Sequence, residues 1–162
     1  MSSKLMKIGS LFLAGALASF GVAAHADNIN TSGVVCQNYN AGQALDIDYV
    51  TNGARNLNAA ARPVVCSLPR SPLAAGAIPE FFVDGQNNTG ASTSCTLTVY
   101  DFLGTFKQSQ SFTESAPATG PRNWDHLVQF AANAVTTFDY VSVLCTLPGN
   151  ANGLIHGVTS VQ

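Results

Sequence analysis

The sequence predicts an all-β protein, an antiparallel β-sandwich held by two disulfide bonds. Short segments follow one another at intervals of roughly 8–12 residues, and several of them alternate between apolar and polar side chains. Turns rich in Gly, Pro and Asn separate these segments, and no long helical period occurs. The four cysteines are an even number, as expected for disulfide pairing in an exported chain.

The first 26 residues have the three parts of a secretory signal peptide. Lys4 and Lys7 form a positive region, residues 8–22 are uncharged and largely apolar, and 24–26 is an A-x-A cleavage sequence. The apolar run of 15 residues is shorter than the about 20 that a membrane-spanning helix needs. We therefore expect cleavage after Ala26 and no membrane span in the mature chain.

The mature chain, residues 27–162, is expected to form a single domain. All 9 acidic residues lie in it, but only 5 of the 7 basic residues remain once Lys4 and Lys7 are removed, so its net charge is −4. This balance argues against a nucleic acid partner. We expect a periplasmic or extracellular location and no cofactor.

Nine segments are predicted to be strands. Whether a tenth strand exists stays open, because the pattern of residues 54–62 is ambiguous. Each is a short β-branched, apolar or alternating run that a turn signal ends; the clearest alternation is at 93–101. Residues 107–111 are polar on both faces, which is typical of an edge strand. Residues 58–61 are open between one helical turn and a loop, and residues 131–137 allow a short helical turn before the next strand. The predicted strands are 33–37, 45–49, 64–68, 78–84, 93–101, 105–112, 124–130, 138–146 and 154–161. Such a series suits an immunoglobulin-like or jelly-roll-like sandwich.

A six-residue motif occurs twice, as Val-Val-Cys-Ser-Leu-Pro at 64–69 and as Val-Leu-Cys-Thr-Leu-Pro at 143–148. Each copy has one further cysteine upstream. Four cysteines allow three pairings, and the spacing alone does not choose among them. If the two copies mark two related halves, pairing within the halves is favoured. The expected bonds are then Cys36 with Cys66 and Cys95 with Cys145, each between neighbouring strands or between the two sheets.

The order of these features resembles a group of small exported, disulfide-bonded bacterial β-sandwich proteins of unknown function. The features are the signal peptide, an early cysteine, Val-Val-Cys-Ser-Leu-Pro-Arg, Ser-Cys-Thr-Leu, a tryptophan strand and Tyr-Val-Ser-Val-Leu-Cys-Thr-Leu-Pro. The resemblance implies a disulfide-linked sandwich outside the cytoplasm. It implies no activity, cofactor or catalytic residue.

No catalytic constellation or metal motif is apparent. Asp125 and His126 are adjacent on a strand and point to opposite faces, and His156 is the other mature histidine. Asp46, Asp48 and the turn after Asp84 offer oxygen ligands, but the spacing of a calcium loop is missing. We predict no catalytic, cofactor-binding or metal-ligating residues.

Trp124 is the one candidate for a ligand-contacting aromatic side chain, with a place in the core as the alternative. We therefore expect an exported, non-enzymatic binding or surface module with a glycan or cell-surface partner. The alternatives are a pilin-like structural subunit and, less favoured, a small secreted hydrolase.

Overall fold

The computed structural model describes residues 28–69 and 76–161, so the expected signal peptide at 1–26 lies outside the described residues. Eleven strands are present within these ranges. They are β1 Ile29–Ser32, β2 Gln37–Asn38, β3 Ile47–Val50, β4 Gly53–Asn56, β5 Arg62–Leu68, β6 Glu80–Asn87, β7 Ser92–Tyr100, β8 Phe106–Ser115, β9 Arg122–Gln129, β10 Tyr140–Leu147 and β11 Gly153–Val161. Two 3₁₀ segments, Gly33–Val35 and Ala41–Asp46, precede β2 and β3.

The strands form two antiparallel sheets, which confirms the predicted β-sandwich. The six-stranded sheet has the order β3-β4-β11-β6-β9, and β1 also pairs with β11. The five-stranded sheet has the order β2-β5-β10-β7-β8. β8 lies at an edge of its sheet, as its polar sequence predicts.

The core lies between the sheets and takes every second residue of the central strands. Along β6 and β7 buried residues alternate strictly with more exposed ones, because successive side chains of a strand point to opposite faces. Among the fully buried side chains are Phe81, Val83, Leu97, Val99 and Val143. Burying each of these contributes about 1.5–3 kcal/mol to stability.

The two copies of the duplicated motif lie side by side. β5 and β10 are antiparallel neighbours in the five-stranded sheet, with Cys66 opposite Val143 and Val64 opposite Cys145. The copies are thus adjacent in space although about 80 residues separate them in the chain.

Both disulfides bridge neighbouring segments of the five-stranded sheet, Cys36 lying directly before β2. Cys36 is bonded to Cys66, and Cys95 is bonded to Cys145, its direct cross-strand partner on β10. The Cα atoms are 4.1 Å apart in each pair. All four cysteines are therefore bonded, and neither bond connects the two sheets.

The strand predictions were wrong in three regions. The predicted strand 33–37 is a 3₁₀ turn at Gly33–Val35, closed by hydrogen bonds from Val34 N–H to the Ser32 side chain and from Cys36 N–H to Gly33 O, and the strand β2 begins only at Gln37. Residues 29–32, which lie outside the predicted strands, form β1 on β11, and the segment after the turn at 51–53, which the sequence pattern leaves open, forms β4. Backbone pairing with a neighbouring strand fixes both of these segments. Their side chains do not alternate between apolar and polar, so the sequence does not predict a strand there. The expected helical turn at 131–137 is a run of turns instead. Among the described residues, no helix has the length and apolar character to span a membrane.

Candidate functional site

A row of side chains crosses the outer face of the six-stranded sheet. The strand register places Asp48 opposite Arg55, Arg55 opposite Leu154, Leu154 opposite Gln86, and Gln86 opposite Asn123. Since residues in register lie on one face, five strands contribute one side chain each to a continuous, mostly polar strip. No single segment of the sequence contains this strip.

Arg55 is fixed within the row by an ion pair with Asp48. Its Nε donates to Asp48 Oδ2 at 2.9 Å, and its Nη2 lies 2.7 Å from the same oxygen. The guanidinium has five N–H groups, so donors remain beyond those that contact Asp48. The pair is partly exposed and carries no net charge.

An open cleft of about 320 Å³ lies at the end of the row where the loops between strands meet. We call it the amide cleft, because four of its side chains are primary amides. It is lined by Val50, Asn52, Arg55, Gln86, Asn88, Ala151, Asn152, Gly153 and Leu154. Each amide offers both hydrogen-bond donors and an acceptor.

The loops that carry the amides are tied to each other. The backbone N–H of Asn88 donates to the carbonyl of Asn152 at 2.8 Å, and its side-chain Nδ2 donates to Ala151 O and Asn152 Oδ1, each at 3.3 Å. Asn150 and Ala151 have φ values of 58° and 55°, a left-handed turn that brings Asn152 back to β11. The cleft walls are therefore joined by hydrogen bonds across the two loops.

A pair of carboxyl groups lies on the same face, one row further along the sheet. Asp84 on β6 is opposite Asp125 on β9. Burial, the hydrogen bond to Asp125 and the negative charge of Asp125 raise the pKa of Asp84 to about 6, and the nearby His156 opposes the rise. The two carboxyl groups therefore share a proton in mildly acidic solution.

Asp125 and His126 do not form an acid–base pair. As expected for neighbours on a strand, they point to opposite faces, and the carboxylate partner of His126 is Glu114 on β8, with 2.7 Å between Nδ1 and Oε1. Arg122 Nη1 lies 3.4 Å from Glu114 Oε2, and the Phe112 ring stacks on the imidazole with centroids 3.7 Å apart. This cluster closes the side of the sandwich between the edges of the two sheets.

Trp124 lies in the core and is only 6% exposed. Its ring packs over Gly85, and Phe112 meets it edge to face at 6.2 Å. The indole is thus covered on the surface where a ligand would have to stack. The sequence allows Trp124 either a ligand contact or a place in the core. The structure places it in the core, and we assign it no ligand contact.

The sequence pattern of a strand beginning at residue 45 places Asp46 and Asp48 on one face, but the structure separates them. Asp46 ends a 3₁₀ segment and accepts hydrogen bonds from Arg62 and Asn58, and these bonds hold its pKa below the usual value. Asp48 pairs with Arg55 instead. Within 28–69 and 76–161, no group of three or more His, Cys, Asp or Glu side chains is arranged to hold a metal ion.

Sequence reasoning missed the amide cleft. Its residues come from three loops and four strands, so no motif brings them together. The signal that was available is the recurrence of Asn-Gly and Asn-Asn at the turns, at residues 52–53, 87–88 and 152–153. By themselves, such dipeptides indicate only that the chain reverses direction.

Comparison with solved structures places this chain in a common sandwich fold. It superimposes on a "xylan-binding module CBM15" with a TM-score of 0.52 and 11% identity, covering 85% of this chain and 97% of that one. A family 35 carbohydrate binding module from Clostridium thermocellum gives 0.49 and 13%, covering 83% and 98%. The C-terminal CBM6 of a laminarinase from Zobellia galactanivorans gives 0.49 and 11%, covering 84% and 100%. At 11% identity, the likeness to the first of these structures shows the fold alone. No protein-family model and no curated protein matches the chain.

Proposed function

We propose that this protein is an exported, non-enzymatic module that binds a neutral saccharide in the amide cleft. The observation that carries the proposal is the lining: four primary amides and a guanidinium neutralised by its own aspartate surround an open cleft of about 320 Å³. A ligand with many hydroxyl groups and no charge is the natural complement of such a lining.

The chemistry of the lining favours a sugar over an ion. A hydroxyl both donates and accepts, and a side-chain amide does the same, so Gln86 and Asn152 can satisfy neighbouring sugar hydroxyls in pairs. Arg55 adds directed donors without net attraction for anions, because Asp48 cancels its charge. Each hydrogen bond adds about 0.5–1.5 kcal/mol, so a few of them give a Kd on the order of a millimolar.

The fold supports xylan as the first ligand to test. The xylan-binding module noted above is a sandwich of similar extent.

Export is supported by the sequence of residues 1–26 and by the two disulfides, which persist mainly in oxidising compartments. The alternatives have less support. The only close carboxyl pair described above, Asp84 and Asp125, is hydrogen-bonded, whereas the two carboxyls of a glycosidase stand about 5 Å or more apart.

The test is titration calorimetry of the mature chain, residues 27–162, with soluble xylo-oligosaccharides and a panel of other neutral oligosaccharides. We expect binding by at least one neutral sugar and a loss of at least fivefold in affinity for Gln86→Ala and for Asn152→Ala. Gln37→Ala is the matched control, because Gln37 is exposed on β2 in the other sheet. No binding across the panel, or equal weakening by the control, would rule out the amide cleft as a sugar site.

A further inference from the structure

Five large apolar side chains stand exposed at one end of the five-stranded sheet, each between 58% and 75% accessible. We call this group the aromatic patch; it consists of Phe102, Leu103, Phe106, Phe138 and Tyr140. Phe102, Phe138 and Tyr140 line one cleft of about 420 Å³. Tyr140 is opposite Tyr100 in register, and Tyr100 meets Phe106 edge to face at 6.4 Å. The patch is therefore continuous.

The tip of the patch is a rigid hairpin rather than a loose loop. Asp101 Oδ1 accepts hydrogen bonds from the backbone N–H groups of Leu103 at 2.9 Å and Thr105 at 2.8 Å. Gly104 donates to the carbonyl of Asp101 and has a φ of 80°, which glycine adopts without strain. The turn thus holds Leu103 outward in a fixed position, and little entropy would be lost on binding.

An ion pair lies beside the patch. Lys107 Nζ lies 2.7 Å from Asp139 Oδ2, and the same oxygen accepts from the backbone N–H of Thr136. Asp101 has no cationic partner among the described residues, and its carboxylate accepts two backbone hydrogen bonds at the hairpin instead. Within the part of the chain that the structure describes, no unpaired cation lies beside the patch to attract an anionic membrane or an acidic peptide.

The size of the patch matches one side of a protein interface. Its five side chains expose about 650 Å² when a fully accessible aromatic side chain is taken as about 200 Å². The largest apolar patch on a typical monomer is about 300–600 Å², and one partner of a standard interface buries about 800 Å². Left uncovered in an exported protein, such an area would be an aggregation risk.

We propose that the aromatic patch is a twofold homodimer interface, in which Leu103 of each protomer enters the 420 Å³ cleft of the other. One surface carries both the projecting hairpin and the cleft beside it, which is the self-complementarity that an isologous contact needs. The two patches together would bury about 1,300 Å², within the range of stable dimers. The amide cleft is on the other sheet and stays free, so the dimer would present two of them.

Sedimentation velocity of the mature chain from about 1 µM to about 500 µM tests this proposal. We expect a monomer–dimer equilibrium with a micromolar Kd, weakened at least tenfold by Leu103→Asp and by Phe138→Asp. Leu45→Asp is the control, because Leu45 is 96% exposed and lies outside the patch. Circular dichroism melts of each variant verify folding.

A monomer over the whole range would overturn the dimer, as would equal weakening by Leu45→Asp. Dimerisation that both patch variants leave intact would overturn it too. Sugar titrations of the Leu103→Asp monomer separate the two proposals, since the amide cleft predicts unchanged affinity per chain.

Discussion

Asp84 lies directly opposite Asp125 across β6 and β9, and the two carboxyl groups share a hydrogen bond on the outer face of the six-stranded sheet. Burial, with Asp125 beside it, raises the pKa of Asp84 from 3.8 to about 6. The folded state therefore holds this proton more tightly than the unfolded state does. Its contribution to stability is complete below about pH 4 and is lost as the pH rises to about 6.

We predict that this loss lowers the free energy of unfolding by about 1–2 kcal/mol between pH 4 and pH 6.5, after allowance for partial solvent exposure. Urea denaturation of the wild type and of Asp84→Asn at several pH values checks it, since the variant should lack this decline. Asp125→Asn should retain a smaller decline, because burial of Asp84 persists. A constant difference between wild type and Asp84→Asn across this range would contradict the assignment.

The disulfides should differ in their contribution to stability. The bond between Cys95 and Cys145 spans 50 residues and that between Cys36 and Cys66 spans 30. Chain-entropy arguments give about 4.1 and about 3.6 kcal/mol respectively. We expect the double alanine variant of Cys95 and Cys145 to be the less stable of the two in guanidinium titrations. The reverse order would mean that the entropy of the unfolded chain does not govern the effect.

Gly85 should not tolerate a methyl group. A Cβ there would overlap Trp124 Cζ2 and lie 2.7 Å from the carbonyl oxygen of Leu154, so either the ring or the backbone must shift. We predict that Gly85→Ala lowers the free energy of unfolding by about 1–3 kcal/mol and shifts the tryptophan fluorescence. Gly42→Ala is the control, since nothing lies within 4 Å of its added Cβ. Equal stability of the two variants would argue against this packing.

Asn56 should contribute strongly to the free energy of unfolding although its side chain is polar. Its side chain is fully buried, and Nδ2 donates to the carbonyls of Ala60, Leu147 and Pro148 at 2.8–3.3 Å, while Oδ1 accepts from the backbone N–H of Asn58. Asn56→Ala leaves these groups unpaired, and we predict a loss of about 2–4 kcal/mol.

Chemical denaturation measures this loss, and the exposed Asn123→Ala provides the comparison, with a change of about 0.5 kcal/mol or less expected. A change for Asn56→Ala as small as that of the control would mean that the buried hydrogen bonds are readily replaced.

The sandwich could be predicted from the sequence because its central strands must alternate to fill a core. Phe81 and Val83, or Leu97 and Val99, show that alternation directly. β1 and β4 could not be predicted in the same way. Their residues, such as Asn30 and Arg55, are polar and become strands only because β11 offers them backbone partners.

The residues of the amide cleft could not be predicted from the sequence for a related reason. Gln86 and Asn152 come together through strand register and loop contacts, which have no local sequence signature. Glu114 likewise lies 12 residues from His126, and only the approach of β8 to β9 makes them partners. Trp124 was visible in the sequence as an unusual residue, but its surroundings, Gly85 and Phe112, decide that it is core.

The antiparallel pairing of β1 with β11 places Ile29 opposite Ser160. The start of β1 and the end of β11 therefore lie side by side at one end of the six-stranded sheet. A pulling force applied at these two ends would open their hydrogen bonds one after another, as a zipper opens, rather than shearing them together. The two disulfides would keep the 30- and 50-residue spans from extending. Under tension the protein would therefore yield early, and it would lengthen only through the residues outside the two bridged spans.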